Sequence, residues 1–335
     1  MENILKELFE SFYGEAAVSL VRLPGHASAR VRFLMRGSNN ICLGVVHSDV
    51  KENRAFISFA RTFRDLGLNV PEVYLVASDE TVYLEEYLGE LTLYDCLLQS
   101  RTCSDQTGIE DSVLSLYKYA LKNLVIFQVK GAEKIDFGLC HPRKSYDAES
   151  MMFDLEQFRL WFLDVNKVSY NATLLFSEFK ELADSLAQAP SEYFMYRDFQ
   201  ARNIIVNNRA LGFVDFQSGR KGPLQYDVVS LLYQVQAGLS SDIRELLLDH
   251  YLLELNRLIS INSNTFRELF DGFVLIRLYQ VLATYGREGL IGKKEYFLKG
   301  IPKALGALSQ ALGRVNVLAN MKELTRVSKL ISKGC

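Results

Sequence analysis

The chain has 335 residues, of which 49% are hydrophobic and 23% charged, and its formal net charge is -2. The composition is typical of a globular protein, and the length favours two lobes or domains. A net charge this small provides no general attraction to nucleic acid or to an anionic membrane, so neither partner is expected. The five cysteines form no C-x-x-C pair, which favours reduced thiols over a zinc site.

The start of the chain and its apolar runs bear on where the protein is found. Residues 1–9 are acidic and amphipathic, whereas a signal peptide needs a basic start and a continuous apolar stretch. No run approaches the roughly 18 apolar residues that a membrane span needs. We therefore predict a cytoplasmic protein.

The first part of the chain predicts a helix followed by a sheet with one crossover helix. Short segments rich in apolar residues are bounded by turn-forming residues, which is typical of strands. The predicted elements are a helix at 5–12, strands at 16–22, 31–36, 40–46, 70–76 and 81–89, and a helix at 52–66.

Small side chains fill the loop between the first two strands, which reads L-P-G-H-A-S-A-R over residues 23–30. Bulky side chains would keep backbone N–H groups away from phosphate oxygens, so such a loop suits phosphate binding. The candidate contacts are Ser28, Ala29 and Arg30. With a single glycine, an ordinary hairpin loop explains the segment equally well when it is taken alone.

From residue 112 onward the pattern becomes helical. Apolar residues recur at spacings of three and four, which indicates amphipathic helices. These are predicted at 113–127, 153–162, 174–186 and 228–237, with a loop at 131–146 and further helices after 240. Residues 240–335 hold 14 Lys or Arg against 9 Asp or Glu, so this region is basic.

The segment 195–234 has the most informative residues. Apolar residues at 204–206 and 211–214 flank the turn N-N-R, which predicts a tight hairpin. Because a hairpin brings its outer ends together, we expect Asn203 and Asp215 to face the same point, where their oxygens suit Mg²⁺. Asp198 precedes Asn203 by five residues, in an extended loop from which it can reach an incoming hydroxyl.

Phosphoryl transfer needs such a set of residues: one base for the acceptor, and oxygen ligands for the metal that neutralises the phosphates. Protein kinases carry it as H-R-D-x-x-x-x-N followed by D-F-G. Here the corresponding strings are Y-R-D-F-Q-A-R-N at 196–203 and D-F-Q at 215–217. Asp and Asn are frequent in turns, but three at this spacing are poorly explained as ordinary turn formers.

The segment resembles the catalytic core of the aminoglycoside phosphotransferase and choline kinase-like superfamily. R-D-F-Q-x-R-N, V-D-F-Q and G-P-x-x-Y-D are most similar to bacterial kinases of the N-acetylmuramate/N-acetylglucosamine type, which act at the anomeric hydroxyl. The resemblance implies an α+β, bilobal protein-kinase-like fold. A small mixed β-sheet lobe would occupy residues 1–89, and a mostly helical lobe, with the catalytic segment 195–234, residues 90–335.

The resemblance also implies a reaction and a set of site residues. A monomer would transfer the γ-phosphoryl group of ATP, with Mg²⁺, to a hydroxyl of a small molecule. Asp198 would be the base that orients the acceptor, and Asn203 and Asp215 would hold the metal. Glu86, Tyr87 and Leu88 would form the hinge whose backbone meets the adenine edge.

Several residues are predicted to contact the acceptor. The helix at 153–162 would line its pocket, with a packed core helix as the alternative, and the basic surplus after residue 240 favours a neutral or anionic acceptor. A polycationic aminoglycoside would call for acidic residues, and choline for an aromatic cage with carboxylates. The predicted contacts are Asp154, Glu156, Arg202, Gln217, Arg220 and Arg277.

Three departures from the kinase pattern leave alternatives open. Tyr196 stands in place of the loop histidine, where an aromatic ring can keep the packing, and Gln217 replaces the glycine of D-F-G. The strand at 41–46, I-C-L-G-V-V, lacks the phosphate-binding lysine. The alternatives are a kinase for choline, homoserine or an aminoglycoside, and a non-catalytic nucleotide-binding regulator, against which the retained base and metal ligands argue.

Overall fold

The computed structural model describes residues 2–24, 30–103, 109–208, 210–314 and 320–333. Ser28 and Ala29, two of the predicted phosphate contacts, lie outside this part of the chain. The described elements form a sheet-containing part and a mostly helical part, and a cleft lined by residues of both lies beside the predicted catalytic loop.

The first part is built on a five-stranded sheet. Its strands are β1 (Ser19–Arg22), β2 (Val31–Arg36), β3 (Ile41–Val46), β4 (Val73–Val76) and β5 (Val82–Glu85), in the spatial order β1-β2-β3-β5-β4. All four pairings are antiparallel, so the sheet is not mixed as predicted. Strand β4 runs in the same direction as β3. The two strands do not pair, because β5 lies between them and is antiparallel to both.

The two faces of the sheet have different neighbours, because successive side chains alternate between them. One face packs on α1 (Glu2–Tyr13). That cluster comprises Leu5, Phe9, Phe33, Met35, Cys42, Val46, Val82 and Leu84. On the other face Arg32 lies opposite Val45, which lies opposite Tyr83. Val45 and Tyr83 belong to the core shared with the helical part, so Arg32 is on the face that turns toward that part.

Helix α2 (Val50–Asp65) crosses from β3 to β4 and joins the sheet to the second part. Asp49 caps it by accepting hydrogen bonds from two N–H groups of the first turn, a common start signal for a helix. Phe56 and Phe63 project from its apolar stripe into the shared core. The ring of Phe56 stacks on that of Phe216, with centroids 4.9 Å apart, so α2 packs directly against the segment that follows Asp215.

The second part consists mainly of helices. They are α3 (Leu93–Cys103), α4 (Asp111–Val125), α5 (Gly131–Lys134), α6 (Ala148–Phe158), α7 (Ala172–Leu186), α8 (Leu224–Leu232), α9 (Ser241–Asn256), α10 (Ser263–Tyr285), α11 (Glu295–Leu312) and α12 (Lys322–Ser332). Wider π-helical turns follow α4, α6 and α10. The turn after α4 continues the helix into α5, so the predicted loop at 131–146 begins with a helical turn.

Two short antiparallel pairs hold the catalytic segment. β6 (Tyr193–Met195) pairs with β9 (Arg220–Gly222), and β7 (Ile204–Asn207) pairs with β8 (Ala210–Phe213). The second pair is the hairpin predicted from the turn residues, which the structure confirms. The loops 196–203 and 214–219 therefore start and end at paired strands, and their side chains are held at one end of the cleft.

The predicted division at residue 89 stays a prediction. The sheet ends at Glu85 and the next helix begins at Leu93, which agrees with a change of architecture there, but one apolar core extends through α2 and the helices beyond. In the described part of the chain, no helix combines the length and the apolar character needed to cross a bilayer.

Candidate active site

The catalytic loop is fixed from inside the protein by Asp227, at the start of α8. Its two carboxylate oxygens accept hydrogen bonds from the N–H groups of Tyr196, at 2.7 Å, and Arg197, at 2.8 Å. Asp227 is fully buried. Burial raises its pKa to about 7, and the two backbone donors oppose that rise. Because Tyr226 and Asp227 come at the start of a predicted helix, the sequence favours Asp227 as a structural brace for the catalytic loop over a reactant, and the structure agrees with that role.

Replacing Asp227 with alanine should destabilise the protein strongly. Two buried N–H groups would lose their acceptors, and each such loss costs about 1–3 kcal/mol, so the free energy of unfolding should fall by about 4 kcal/mol. Denaturant titration measures this change. Asp242→Ala, at an exposed site on α9, is the control, expected to stay within about 0.5 kcal/mol of the wild type. Equal stability of the two variants would contradict the brace.

Tyr196, which replaces the kinase histidine, ties the two halves of the site together. Its side chain is buried, and its hydroxyl donates a 2.7 Å hydrogen bond to the carbonyl of Val214. Its ring packs edge-on against Phe127 and Phe199. The prediction that an aromatic residue keeps the packing is confirmed, and the hydroxyl also links the catalytic loop to the residue before Asp215.

The residues beside the predicted base and at the predicted metal ligand have left-handed backbones. Arg197 has φ +74° and Asp215 has φ +73°, an uncommon conformation that persists where surrounding contacts enforce it. Asp227 holds the backbone of Arg197. The guanidinium of Arg197 lies 3.4 Å from Asp154 and over the Tyr146 ring. Asp154, predicted to contact the acceptor, is therefore buried against Arg197.

The hairpin brings the predicted metal ligands together. The carbonyl of Asn203 accepts a hydrogen bond from the N–H of Val214, at 3.1 Å, next to Asp215. The amide nitrogen of Asn203 donates to the carbonyl of Asp198, at 2.9 Å. Asp215 accepts through Oδ1 from Arg32, at 3.0 Å, and from Gln217, at 3.1 Å. The three predicted residues therefore occupy one small region.

This set of oxygens fits Mg²⁺. Mg²⁺ is usually held by one or two carboxylates together with substrate phosphates and water, and Asp215 and the amide oxygen of Asn203 provide that kind of donor. Burial opposes ionisation of Asp215, but Arg32 and Gln217 outweigh it and lower the pKa, so the side chain remains a carboxylate. No group of three His, Cys, Asp or Glu residues among those described forms a separate metal site.

The cleft beside Asp198 and Asp215 has a volume of about 410 Å³. Its far wall comes from the catalytic loop, from the end of α8, from α10 and from the residues beyond it. Apart from Val235, Val281 and Thr284, that wall is formed by amides, arginines and aromatic rings: Gln200, Arg202, Tyr233, Gln234, Gln236, Arg277, Gln280, Tyr285, Arg287, Tyr296 and Phe297. Arg277 is buried, with its guanidinium 3.9 Å from Asp198. Among the described lining residues, Glu52 is the only acid besides Asp198 and Asp215.

The structure divides the predicted acceptor contacts into two groups. Arg202, Gln217 and Arg277 line the cleft. Asp154, Glu156 and Arg220 are not among its lining residues. Contact with an acceptor stays a prediction for the first group, and the geometry gives no support to it for the second.

The second group has other contacts. Glu156 pairs with Arg159 at 3.0 Å. Arg220 is buried and donates to the carbonyl of Ser218, and burial together with neighbouring Arg197 lowers its pKa to about 10.

Sequence reasoning missed most of the far wall. Gln234 and Gln236 follow α8, and Arg287 and Tyr296 come from the chain beyond α10. Two signals were available: the polar run at 277–287, which pointed to Arg277 and Tyr285, and Q-V-Q at 234–236, where polar amides interrupt an apolar segment. Gln234 also accepts a 2.8 Å hydrogen bond from the N–H of Ala201, which couples this wall to the catalytic loop.

Among the predicted nucleotide contacts that the structure describes, Arg30, Glu86 and Leu88 already have partners in the protein. Arg30 is buried and pairs with Glu52 at 3.0 Å. In the hinge, the N–H of Glu86 donates to the carbonyl of Glu72, at 2.8 Å. The carbonyl of Leu88 accepts from Asn207, at 3.4 Å. Nucleotide binding by these residues and by Tyr87 stays a prediction.

Residues 19–259 match the phosphotransferase enzyme family, and the chain belongs to that family. This membership confirms the predicted resemblance and places the chain among phosphotransferase enzymes.

Among curated proteins, two relatives from Pseudomonas have the name N-acetylmuramate/N-acetylglucosamine kinase. The P. aeruginosa protein is 26% identical over 237 residues, which cover 69% of this chain and 65% of that protein. That match spans slightly less than two thirds of the relative. The P. putida protein is 22% identical over 339 aligned positions, which cover 97% of this chain and 93% of that protein.

Solved structures show the same fold at low identity. Choline kinase from Cryptosporidium parvum matches with a TM-score of 0.62 and 12% identity, over 98% of this chain and 99% of that one. An ADP-bound aminoglycoside phosphotransferase matches with a TM-score of 0.57 and 15% identity, over 92% and 98%. The predicted kinase-like bilobal fold is confirmed.

Proposed function

We propose that the protein is an ATP- and Mg²⁺-dependent kinase that phosphorylates a hydroxyl of an amino sugar of the N-acetylglucosamine/N-acetylmuramate type. Family membership and the grouping of Asp198, Asn203 and Asp215 support the phosphoryl transfer. The proposal includes action as a monomer in the cytoplasm, on a small-molecule acceptor and without nucleic-acid or membrane partners.

In this proposal each residue of the catalytic loop has a separate task. Asp198 orients the acceptor hydroxyl and accepts its proton, while Asn203 and Asp215 hold Mg²⁺, which would neutralise charge on the phosphates. Asp227 and Tyr196 keep these side chains in place. Most of the rate then comes from positioning and charge neutralisation, which a loop fixed by buried hydrogen bonds is suited to provide.

The composition of the cleft wall is the observation that favours an amino sugar. The wall opposite the phosphate side presents amides, arginines and aromatic rings, and no acid among its described residues lies on α10 or beyond. Amides match the hydroxyl and acetamido groups of an N-acetylated sugar, and Arg202, Arg277 and Arg287 match an acceptor that is neutral or carries a carboxylate.

The same wall argues against cationic acceptors. An aminoglycoside carries several ammonium groups, and desolvating them beside three arginines would be unfavourable. A quaternary ammonium such as choline is bound by aromatic faces together with negative charge, and the described wall has the aromatic rings without the carboxylates. The names of the curated relatives also agree with an amino sugar.

An acceptor panel tests the proposal. ADP release is measured with MgATP and, in separate reactions, N-acetylglucosamine, N-acetylmuramate, choline, homoserine and kanamycin, with phosphorus NMR to locate the new phosphate. We expect turnover with the N-acetylated sugars and a glycosyl phosphate as product. The Asp198→Asn variant controls for contaminating kinases. Turnover with choline, homoserine or kanamycin alone, or ATP binding without turnover of any acceptor, would overturn the proposal.

A further inference from the structure

Strand β3 lacks the lysine that binds the nucleotide phosphates in protein kinases, and the structure offers another cation close by. Val45, in β3, lies directly opposite Arg32 in β2. Both residues are on the face of the sheet that turns toward the helical part. Arg32 therefore projects from the same face of the sheet as a lysine at position 45 of β3 would.

Arg32 reaches from the sheet to the predicted metal ligand. Its guanidinium lies 3.0 Å from Oδ1 of Asp215, a residue 183 positions away, and the side chains of Arg32 and Asp215 are 31% and 29% exposed. Phosphate oxygens that share a magnesium ion with Asp215 must lie within a few ångströms of its carboxylate. The guanidinium is therefore beside the place where the phosphates would bind.

A second carboxyl group lies on the same face of the sheet as Arg32. Glu85, at the end of β5, is buried, and its Oε2 has no hydrogen-bond partner among the described residues. Arg32 thus contacts one acid, Asp215, and lies on the same face of the sheet as a second, Glu85. Arg30, the other cation nearby, is buried and paired with Glu52.

We propose that Arg32 binds the α- and β-phosphates of the nucleotide in place of the missing strand lysine. Its planar fork can hold two phosphate oxygens at once, whereas a lysine ammonium acts as a single point of charge. This inference rests on the proposed kinase function.

The test compares nucleotides with and without phosphates, in the absence of metal. Isothermal titration calorimetry with ADP and with adenosine, in EDTA, is done on the wild type, Arg32→Ala, Arg32→Lys and Arg22→Ala. Arg22 is exposed on β1 and lies opposite Phe33, on the other face of the sheet, which makes it a matched control. The melting temperature of each variant without nucleotide checks its folding.

We expect Arg32→Ala to weaken ADP binding by about 10- to 100-fold, because a charge-assisted hydrogen bond contributes about 1.5–3 kcal/mol. Adenosine binding should be unchanged. Arg32→Lys should recover part of the loss, and Arg22→Ala should behave like the wild type. Equal ADP affinity of the wild type and a folded Arg32→Ala variant would overturn the inference and leave the kinase proposal intact.

One further comparison separates contact with phosphate from simple neutralisation of Asp215. In the Asp215→Asn background the neighbouring charge is gone, so Arg32→Ala should still weaken ADP binding if the guanidinium touches phosphate. If the loss disappears in that background, Arg32 acts only on Asp215 and the inference is wrong. A wild-type protein that binds neither ADP nor MgATP would instead contradict the proposed function itself.

Discussion

Asp198→Asn should reduce turnover by about 1,000-fold while leaving the affinity for MgATP nearly unchanged. The amide has the size of the carboxylate but accepts no proton, and a positioned base contributes about 100- to 10,000-fold. Asp198 lines the cleft, and its carboxylate has a 3.4 Å contact with Gln200. Single-turnover kinetics and calorimetric titration with MgATP measure the two quantities separately.

Asp242→Asn is the matched control for this substitution, since Asp242 is exposed on α9 and far from the catalytic loop in sequence. It should retain full turnover. Unchanged turnover of Asp198→Asn would remove Asp198 from the role of base. A parallel loss of nucleotide affinity would show that the residue instead helps to form the phosphate site.

Asp215→Ala should abolish the gain in nucleotide affinity that Mg²⁺ provides to the wild type. The substitution removes the predicted carboxylate ligand, and with it the charge that holds Arg32. Turnover should fall by at least about 100-fold, the usual effect of losing one group that stabilises transition-state charge. ADP titrations with and without Mg²⁺ provide the direct measurement.

Gln217→Ala is the comparison for Asp215→Ala, because it removes a hydrogen bond to the same oxygen and keeps the carboxylate. Its nucleotide affinity should still increase when Mg²⁺ is added. If Asp215→Ala also retains that increase, Asp215 is not the metal ligand.

The catalytic segment could be predicted because its information is local. The turn residues at 207–208 and the apolar segments around them determine the hairpin, and the hairpin determines that Asn203 and Asp215 meet. Asp227 was predictable as a brace from its place at a helix start. What the sequence did not reveal is which N–H groups the carboxylate accepts from: they are those of Tyr196 and Arg197, and this depends on how α8 packs.

The acceptor side could not be predicted in the same way. Its wall combines residues from the end of α8, from α10 and from α11, which lie together only after the helices pack. The predicted contacts in α6 illustrate the difficulty: Asp154 was expected in the pocket, but the helix turns that carboxylate inward, where it accepts from Tyr146 at 2.9 Å and binds Arg197. Helical periodicity indicates a buried face without indicating which cavity it approaches.

The pairing of Arg32 with Asp215 depends on the relative placement of the two lobes. The alternation of residues in β2 indicated that Arg32 and Phe33 face opposite sides, but nothing in the sequence indicates which side meets the catalytic loop. The mixed sheet that the resemblance implied was wrong for a related reason, because the pairing partner of β4 is decided by where β5 inserts.

The stacking of Phe216 on Phe56 also bears on inhibitor design. In protein kinases the packing of the D-F-G phenylalanine sets the active or inactive state, so a ligand that favours an outward-turned segment needs a phenylalanine that can leave its place and a glycine that permits the rotation. Here the ring of Phe216 also packs against that of Phe63, with centroids 5.4 Å apart, and the residue after Phe216 is Gln217 in place of glycine. Compounds of that kind should find no pocket in this protein, so selective ligands are better directed at the amide- and arginine-lined wall.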